Sequence, residues 1–269
     1  MSQDKELPFW EHFRELGFRL KKVFYAWIVT MILLMALPAN IMDIFSGPQA
    51  FAGIYRPLIA KILSLIKEYI LNSPLTGNIK IMSILGSISA GIELYLLGAF
   101  WLSIIIIAPF LTHQIYKFVE PGLYEHEKEI LKHYGVWFVA LFVAGAIFGF
   151  FVVSPIVIWA FVIFAVWFEA EPVVFIVDIY NTVLMTTVFT GFAFTFPIIM
   201  LVLIRLGIIS TKWIEKNRLV FYIIIFIISA IITPDGGPVA DIILAAPVII
   251  LTEVALRLGK KYERERAST

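Results

Sequence analysis

The sequence predicts an all-α integral membrane protein, a bundle of six transmembrane helices with both ends on the cytoplasmic side. Three observations predict it. Hydrophobic residues make up 61% of the 269 positions, and the mean hydropathy is +0.93. Charged residues make up 15%, against about 25% in a soluble domain. The charges are also clustered between long uncharged runs, a pattern that requires lipid as solvent.

A spanning helix needs roughly 20 mostly apolar residues. The first run covers 23–42 and is closed by Asp43. It has no small-residue cleavage signature, so it reads as a retained span and not as a signal peptide. The second span covers 94–116 and contains no Asp, Glu, Lys or Arg. The third is assigned to 134–160 within an uncharged run from His133 to Phe168. That run exceeds one membrane thickness, and Pro155 within it predicts a bend. The fourth span covers 179–204, and two short spans follow at 219–234 and 237–254. The short pair predicts locally thinned bilayer around it.

Amphipathic segments flank the first span. Phe9, Phe13, Leu16 and Leu20 share a helical face, so 1–22 reads as a cytoplasmic interfacial helix. The long outer loop, 43–93, carries a helical alternation of Leu58, Ile62, Leu63, Ile66, Tyr69 and Ile70 with Lys61, Ser64 and Lys67. Residues 257–269 form a cytoplasmic tail.

Charge sets the orientation. With both ends inside, seventeen of the 21 Lys and Arg residues fall on inner segments. The other four, Arg56, Lys61, Lys67 and Lys80, all lie in the first outer loop.

The chain carries little catalytic chemistry. It has no cysteine, and a net charge of +1 gives no nucleic-acid footprint. His12, His113, His126 and His133 are not spaced as a metal site, and no HExxH, GxSxG or phosphate-binding glycine loop occurs. No cofactor is implied. Polar groups at membrane depth are candidates instead. Glu93 opens the second span and Asp241 the sixth, Asp235 lies just before the sixth, and the fourth holds Asn181, Thr182, Thr186 and Thr195. One alternative is a six-span secondary transporter or channel for a small solute, which needs such groups to converge at the midplane. The densest polar segment lies at the cytoplasmic surface, from Gln114 to Glu129. Pro121 and Gly122 set a turn there, and Glu120, Glu125, Glu127 and Glu129 cluster with Lys117, Lys128 and Lys132. Either this is a solvated helix neutralised by its lysines, or it is a receptor for a basic peptide, since a carboxylate takes a guanidinium in a bidentate pair.

The segment resembles the TatC family, the core receptor of the twin-arginine protein translocase. Ala108, Pro109, Gln114, Phe118, Pro121, Leu123, Tyr124 and Glu127 match the family spacing, with Tyr116 for the usual tryptophan. The third-span stretch from Gly145 through Phe148 and Phe151 to Pro155 is similar to the family's, as is Glu11-His12 with Glu15, Leu16 and Arg19. Pro48, Leu206-Gly207 with Ser210 and Arg218, Thr233-Pro234-Asp235 and Ala245-Ala246-Pro247 add to it. Gly17 replaces an arginine, Thr195 stands where the fourth span usually has a glutamate, and Asp241 stands where the sixth usually has a glutamine.

The resemblance implies a concave bundle in a prokaryotic cytoplasmic membrane that is not an enzyme. It implies binding of twin-arginine signal peptides of folded proteins through Glu127, Glu15, Phe118, Tyr124, Gln114 and Arg19. Pro48, Pro121, Pro155, Thr195, Asp235 and Asp241 take structural or partner-contact roles. The implied partners are TatA- and TatB-type single-span proteins and further copies of the chain, with export driven by the proton-motive force.

Overall fold

The computed structural model describes residues 9–39, 57–77, 79, 81–122, 125–233 and 237–267. In chain order the helices are α1 (Phe9–Ala36), α2 (Leu58–Leu71), α3 (Ala90–Val119), α4 (Glu125–Phe148), α5 (Ser154–Trp167), α6 (Ile176–Arg205), α7 (Thr211–Lys216), α8 (Arg218–Ile232) and α9 (Pro238–Ala267). Two three-residue strands, β1 (Met82–Ile84) and β2 (Val173–Phe175), pair in parallel.

Among the described residues, four helical stretches are long and apolar enough to cross a membrane: α3, the run Leu131–Trp167 through α4 and α5, α6, and Pro238–Glu265 within α9. Helix α6 is the hub. Of its apolar window 61% lies inside the protein, against 28–39% for the other three. It packs on α3, α4, α5, α8 and α9. Helix α8 is apolar but has 15 residues, about 22 Å of helix against a hydrocarbon core of roughly 30 Å.

Residues 9–22 are not a separate helix. They continue without a break into the apolar half of α1, because no Pro or Gly interrupts Phe18–Ala36. The third run is likewise one helix of 37 residues, about 55 Å long. Its hydrogen bonding changes where the sequence predicts, just before Pro155. Proline has no N–H, and its ring crowds the carbonyl four residues back. Gly149–Val153 widen into a π-turn, and the Ser154 N–H bonds to the Gly149 carbonyl. The Ser154 hydroxyl donates to the same carbonyl at 2.8 Å and lies 3.3 Å from the Val183 carbonyl of α6. The Phe151 carbonyl, which Pro155 cannot serve, accepts instead from the Tyr69 hydroxyl of α2 at 3.2 Å.

Small residues bring α4 and α6 together. A methyl group built on Gly145 would stand 2.7 Å from the Thr190 carbonyl oxygen, and one on Gly149 would stand 2.8 Å from the Thr190 Cβ. From the other side, one on Gly191 would stand 2.9 Å from the Phe142 ring. The Trp101 indole N–H of α3 donates to the Asn181 side-chain oxygen of α6 at 3.1 Å.

Helix α2 caps one end of the bundle. Ile59, Leu63, Ile66 and Ile70 are buried on one face, against Ile158, Val162, Ile179 and Tyr180. The Tyr180 hydroxyl donates to the Leu63 carbonyl at 2.8 Å. The end of α1 joins this cap through the Leu58 N–H to the Leu37 carbonyl (2.7 Å) and through the Tyr95 hydroxyl to the Met35 carbonyl. The strand pair adds the segments that precede α3 and α6 to the same end.

Gly149→Leu, which overfills the α4–α6 contact, is expected to destabilise the detergent-solubilised protein by about 1–3 kcal/mol. Gly135→Ala, inside α4 with nothing within 4 Å of its new methyl group, is expected to raise stability by up to about 1 kcal/mol. Thermal unfolding of the two variants side by side checks this, and equal midpoints would contradict the packing described.

Candidate functional site

The end opposite the cap gathers the C-terminus of α3, the start of α4, the α6–α8 connection and the C-terminal half of α9. At the end of α3, Gln114 is buried, and its side-chain oxygen has no hydrogen-bond partner among the described residues. A buried acceptor left unpaired costs about 1–3 kcal/mol, and the buried side-chain polar atoms of Trp27, Thr186 and Thr190 share that state among the described residues. Phe118 is half-buried one turn on. A 3₁₀ turn, Glu120–Gly122, follows with Pro121 exposed, and α4 begins at Glu125. Glu127 therefore lies in the first turn of α4, where the helix dipole favours a carboxylate.

On α1, Glu15 and Arg19 form an ion pair one turn apart. Both the Nε (3.0 Å) and an Nη of Arg19 donate to the same oxygen, Oε1. Oε2 accepts no hydrogen bond among the described residues. The carboxylate is thus held in orientation with half its acceptor capacity open.

A second group of charges ties the ends of α7, α8 and α9. Glu253 accepts from Arg218 at 3.0 Å and from the Tyr222 hydroxyl. Lys260 pairs with Glu215, and Arg218 lies 3.9 Å from the same carboxylate. Glu263 accepts from the Thr211 N–H at 2.8 Å and from its hydroxyl. The Arg205 guanidinium donates to the Tyr134 hydroxyl at 3.0 Å and lies over the Tyr262 ring at 4.3 Å. The connection itself is set by Gly207 (φ 77°), which ends α6, and by Ser210, whose side chain caps α7 at the Trp213 N–H.

The remaining predicted residues are scattered. Thr195 is 2% exposed, and its hydroxyl donates to the Phe192 carbonyl at 2.7 Å. It sits inside the chain's own packing, not on a wall open to a partner. Pro155 is buried at the π-turn. Asp241 is 9% exposed at the capped end, where it pairs with the Thr233 hydroxyl, itself 2.9 Å from the Ser229 carbonyl. Glu93 is exposed beside a groove of about 660 Å³ with Met31, Phe100 and Trp101. Tyr124, Pro48, Asp235 and the Glu127 side chain lie outside the described residues.

Several structural partners were not anticipated from sequence: Tyr69, Tyr180, Arg205, Ser154 and Glu253. A tyrosine or a basic residue at a span end reads as an interfacial anchor, and its particular partner depends on tertiary contact. Glu253 alone left a signal, as a carboxylate in the second half of an apolar run with Arg218 as the base that opens α8.

The described geometry is that of a polytopic helical membrane protein whose polar groups concentrate at one end. The family model described as Sec-independent protein translocase protein (TatC) matches residues 11–247, and the chain belongs to that family. It is thereby a membrane-embedded component of a protein-transport machinery, and the relatives are named as translocase components, not enzymes. This family assignment replaces the solute-transporter alternative. The chain is 29% identical to the Sec-independent protein translocase protein TatC of Aquifex aeolicus, over 97% of this chain and 98% of that one. It is 29% identical to TatCy of Bacillus subtilis over 62% of this chain and 65% of that one. A crystal structure titled as the twin-arginine translocase receptor TatC superposes with a TM-score of 0.70 at 25% identity, covering 94% of this chain and 99% of that one.

The Lys260 ammonium hydrogen bond, with the charges of Lys260 and Arg218, holds the Glu215 carboxyl below its ordinary value of 4.5 despite some desolvation. A depressed folded-state value stabilises above the unfolded-state pKa, and that stabilisation is lost as pH falls through the folded-state value. Glu215→Gln is expected to lower the unfolding midpoint at neutral pH and to reduce its fall below about pH 4.5. An acid profile identical to wild type would contradict this.

Proposed function

We propose that the chain is the receptor subunit of a twin-arginine translocase and binds the signal peptides of folded proteins at the end formed by α1, the α3–α4 connection and α9. The orientation of Glu15 carries the reading. Arg19 pins one of its carboxylate oxygens and leaves the other open, so an incoming guanidinium meets a pre-positioned acceptor. Glu127 takes the second arginine, the orphan Gln114 oxygen accepts a peptide N–H, and Phe118 and Tyr124 pack on the adjacent signal residues. Lysine gives a compact point charge without the planar fork, so the site discriminates against a lysine pair.

The polar end faces the cytoplasm of a prokaryotic cell, and the chain crosses the membrane six times. The positive-inside distribution supports that orientation. The apolar half of α1 and the short α8 supply the first and fifth crossings. The outward face of α8, with Leu219, Val220, Ile223, Ile227 and Ile231 exposed, receives a TatA- or TatB-type single-span partner, and further copies of the chain complete the assembly. The short α8 thins the bilayer where cargo crosses, and the proton-motive force drives transport.

Photo-crosslinking of a twin-arginine signal peptide to the full chain tests the reading. Glu127→Ala and Glu15→Ala are each expected to reduce the adduct about tenfold or more, equivalent to ~1.4 kcal/mol. A twin-lysine peptide is expected to crosslink about as weakly with wild type. Undiminished adducts in both variants would sink the assignment.

A further inference from the structure

The geometry points to a binding site for one anionic phospholipid in the groove between α4 and α9, with its headgroup phosphate at Arg205. The groove has a volume of about 330 Å³. Its apolar walls include Trp137 and Leu141 of α4, Pro197 of α6, and Leu251 and Val254 of α9. Its polar mouth is formed by His133, Tyr134 and Tyr262.

Length and lining select an acyl chain. From Tyr262 to Leu251 is eleven residues of helix, about 16 Å, which is one leaflet of a roughly 30 Å hydrocarbon core. Below the mouth the walls are apolar along that length.

Charge selects the headgroup. Arg205 is half-buried directly against both tyrosines of the mouth. Among the described residues its guanidinium donates to the Tyr134 hydroxyl and pairs with no carboxylate. The acid beside Tyr262, Glu263, is committed to Thr211. A guanidinium at a membrane surface, with donors to spare and no carboxylate partner among the described residues, is a phosphate site. Lys132, one residue from the mouth, is exposed and adds positive potential, while Lys261 on the other side lies 4.0 Å from Glu265. A zwitterionic headgroup would bring its own cation into this field, and an anionic one brings none.

The inference rests on the polar end facing a leaflet surface and not on the signal-peptide reading. The two therefore fail separately, one by lipid binding and the other by peptide crosslinking. Native mass spectrometry of the detergent-purified full chain, titrated with phosphatidylglycerol or phosphatidylcholine of the same acyl chains, tests it. Wild type is expected to retain one phosphatidylglycerol at least about tenfold better than phosphatidylcholine. Arg205→Leu is expected to abolish that preference. Val254→Trp, which fills the groove from an exposed position and leaves Arg205 intact, is expected to reduce retention of both lipids, and it keeps the test alive where Arg205→Leu does not fold. Equal retention of the two lipids by wild type, or an unchanged preference in Arg205→Leu, would overturn the site. So would displacement of the lipid by equimolar inorganic phosphate, or crosslinking from Val254 to a membrane-spanning protein in place of lipid.

Discussion

A backbone polar group inside hydrocarbon has no water to turn to, and this constraint shapes the rest of the structure. It is most visible at Pro155. The proline breaks the ladder of a 37-residue helix, and the freed groups are met one by one: by a π-turn, by the Ser154 hydroxyl, and by Tyr69 reaching from α2 to the Phe151 carbonyl. The amphipathic helix α2 is therefore more than a cover for apolar side chains. It supplies the donor that the interrupted helix lacks, and its own Leu63 carbonyl accepts from Tyr180 of the central helix.

The same constraint separates the two ends of the bundle. The capped end pairs its buried acid, Asp241, with Thr233. The opposite end leaves an acceptor open at Glu15, and holds an arginine without an acid partner among the described residues at position 205. A protein that recognises charged ligands at a membrane surface needs that asymmetry.

Much of the fold was legible in the sequence because periodicity and hydropathy are local. The apolar runs, the helical face of 58–70 and the role of Pro155 were all readable. Boundaries were less so. Residues 9–22 join α1 because only a breaker would separate them, and amphipathicity is not a breaker. The face of α2 is the expected one at Leu63, Ile66 and Ile70, with Ile59 buried in the first turn where Leu58 was expected. At the site, the motif spacing gave the residue names but not their partners. That Arg19 holds Glu15 by a single oxygen, and that Thr195 turns inward to Phe192, are tertiary and rotamer facts with no sequence signature.

The account depends above all on which face of the membrane holds the polar end. The chain has no cysteine, so single cysteines report without background. Replacing Lys132, Lys212 or Lys261 marks the polar end, and replacing Ser87 or Glu169 marks the capped end. A membrane-impermeant maleimide applied to intact cells is expected to label Cys at 87 and 169, and to reach 132, 212 and 261 only after permeabilisation. Labelling of the second group in intact cells, or a split between 212 and 261, would contradict the account.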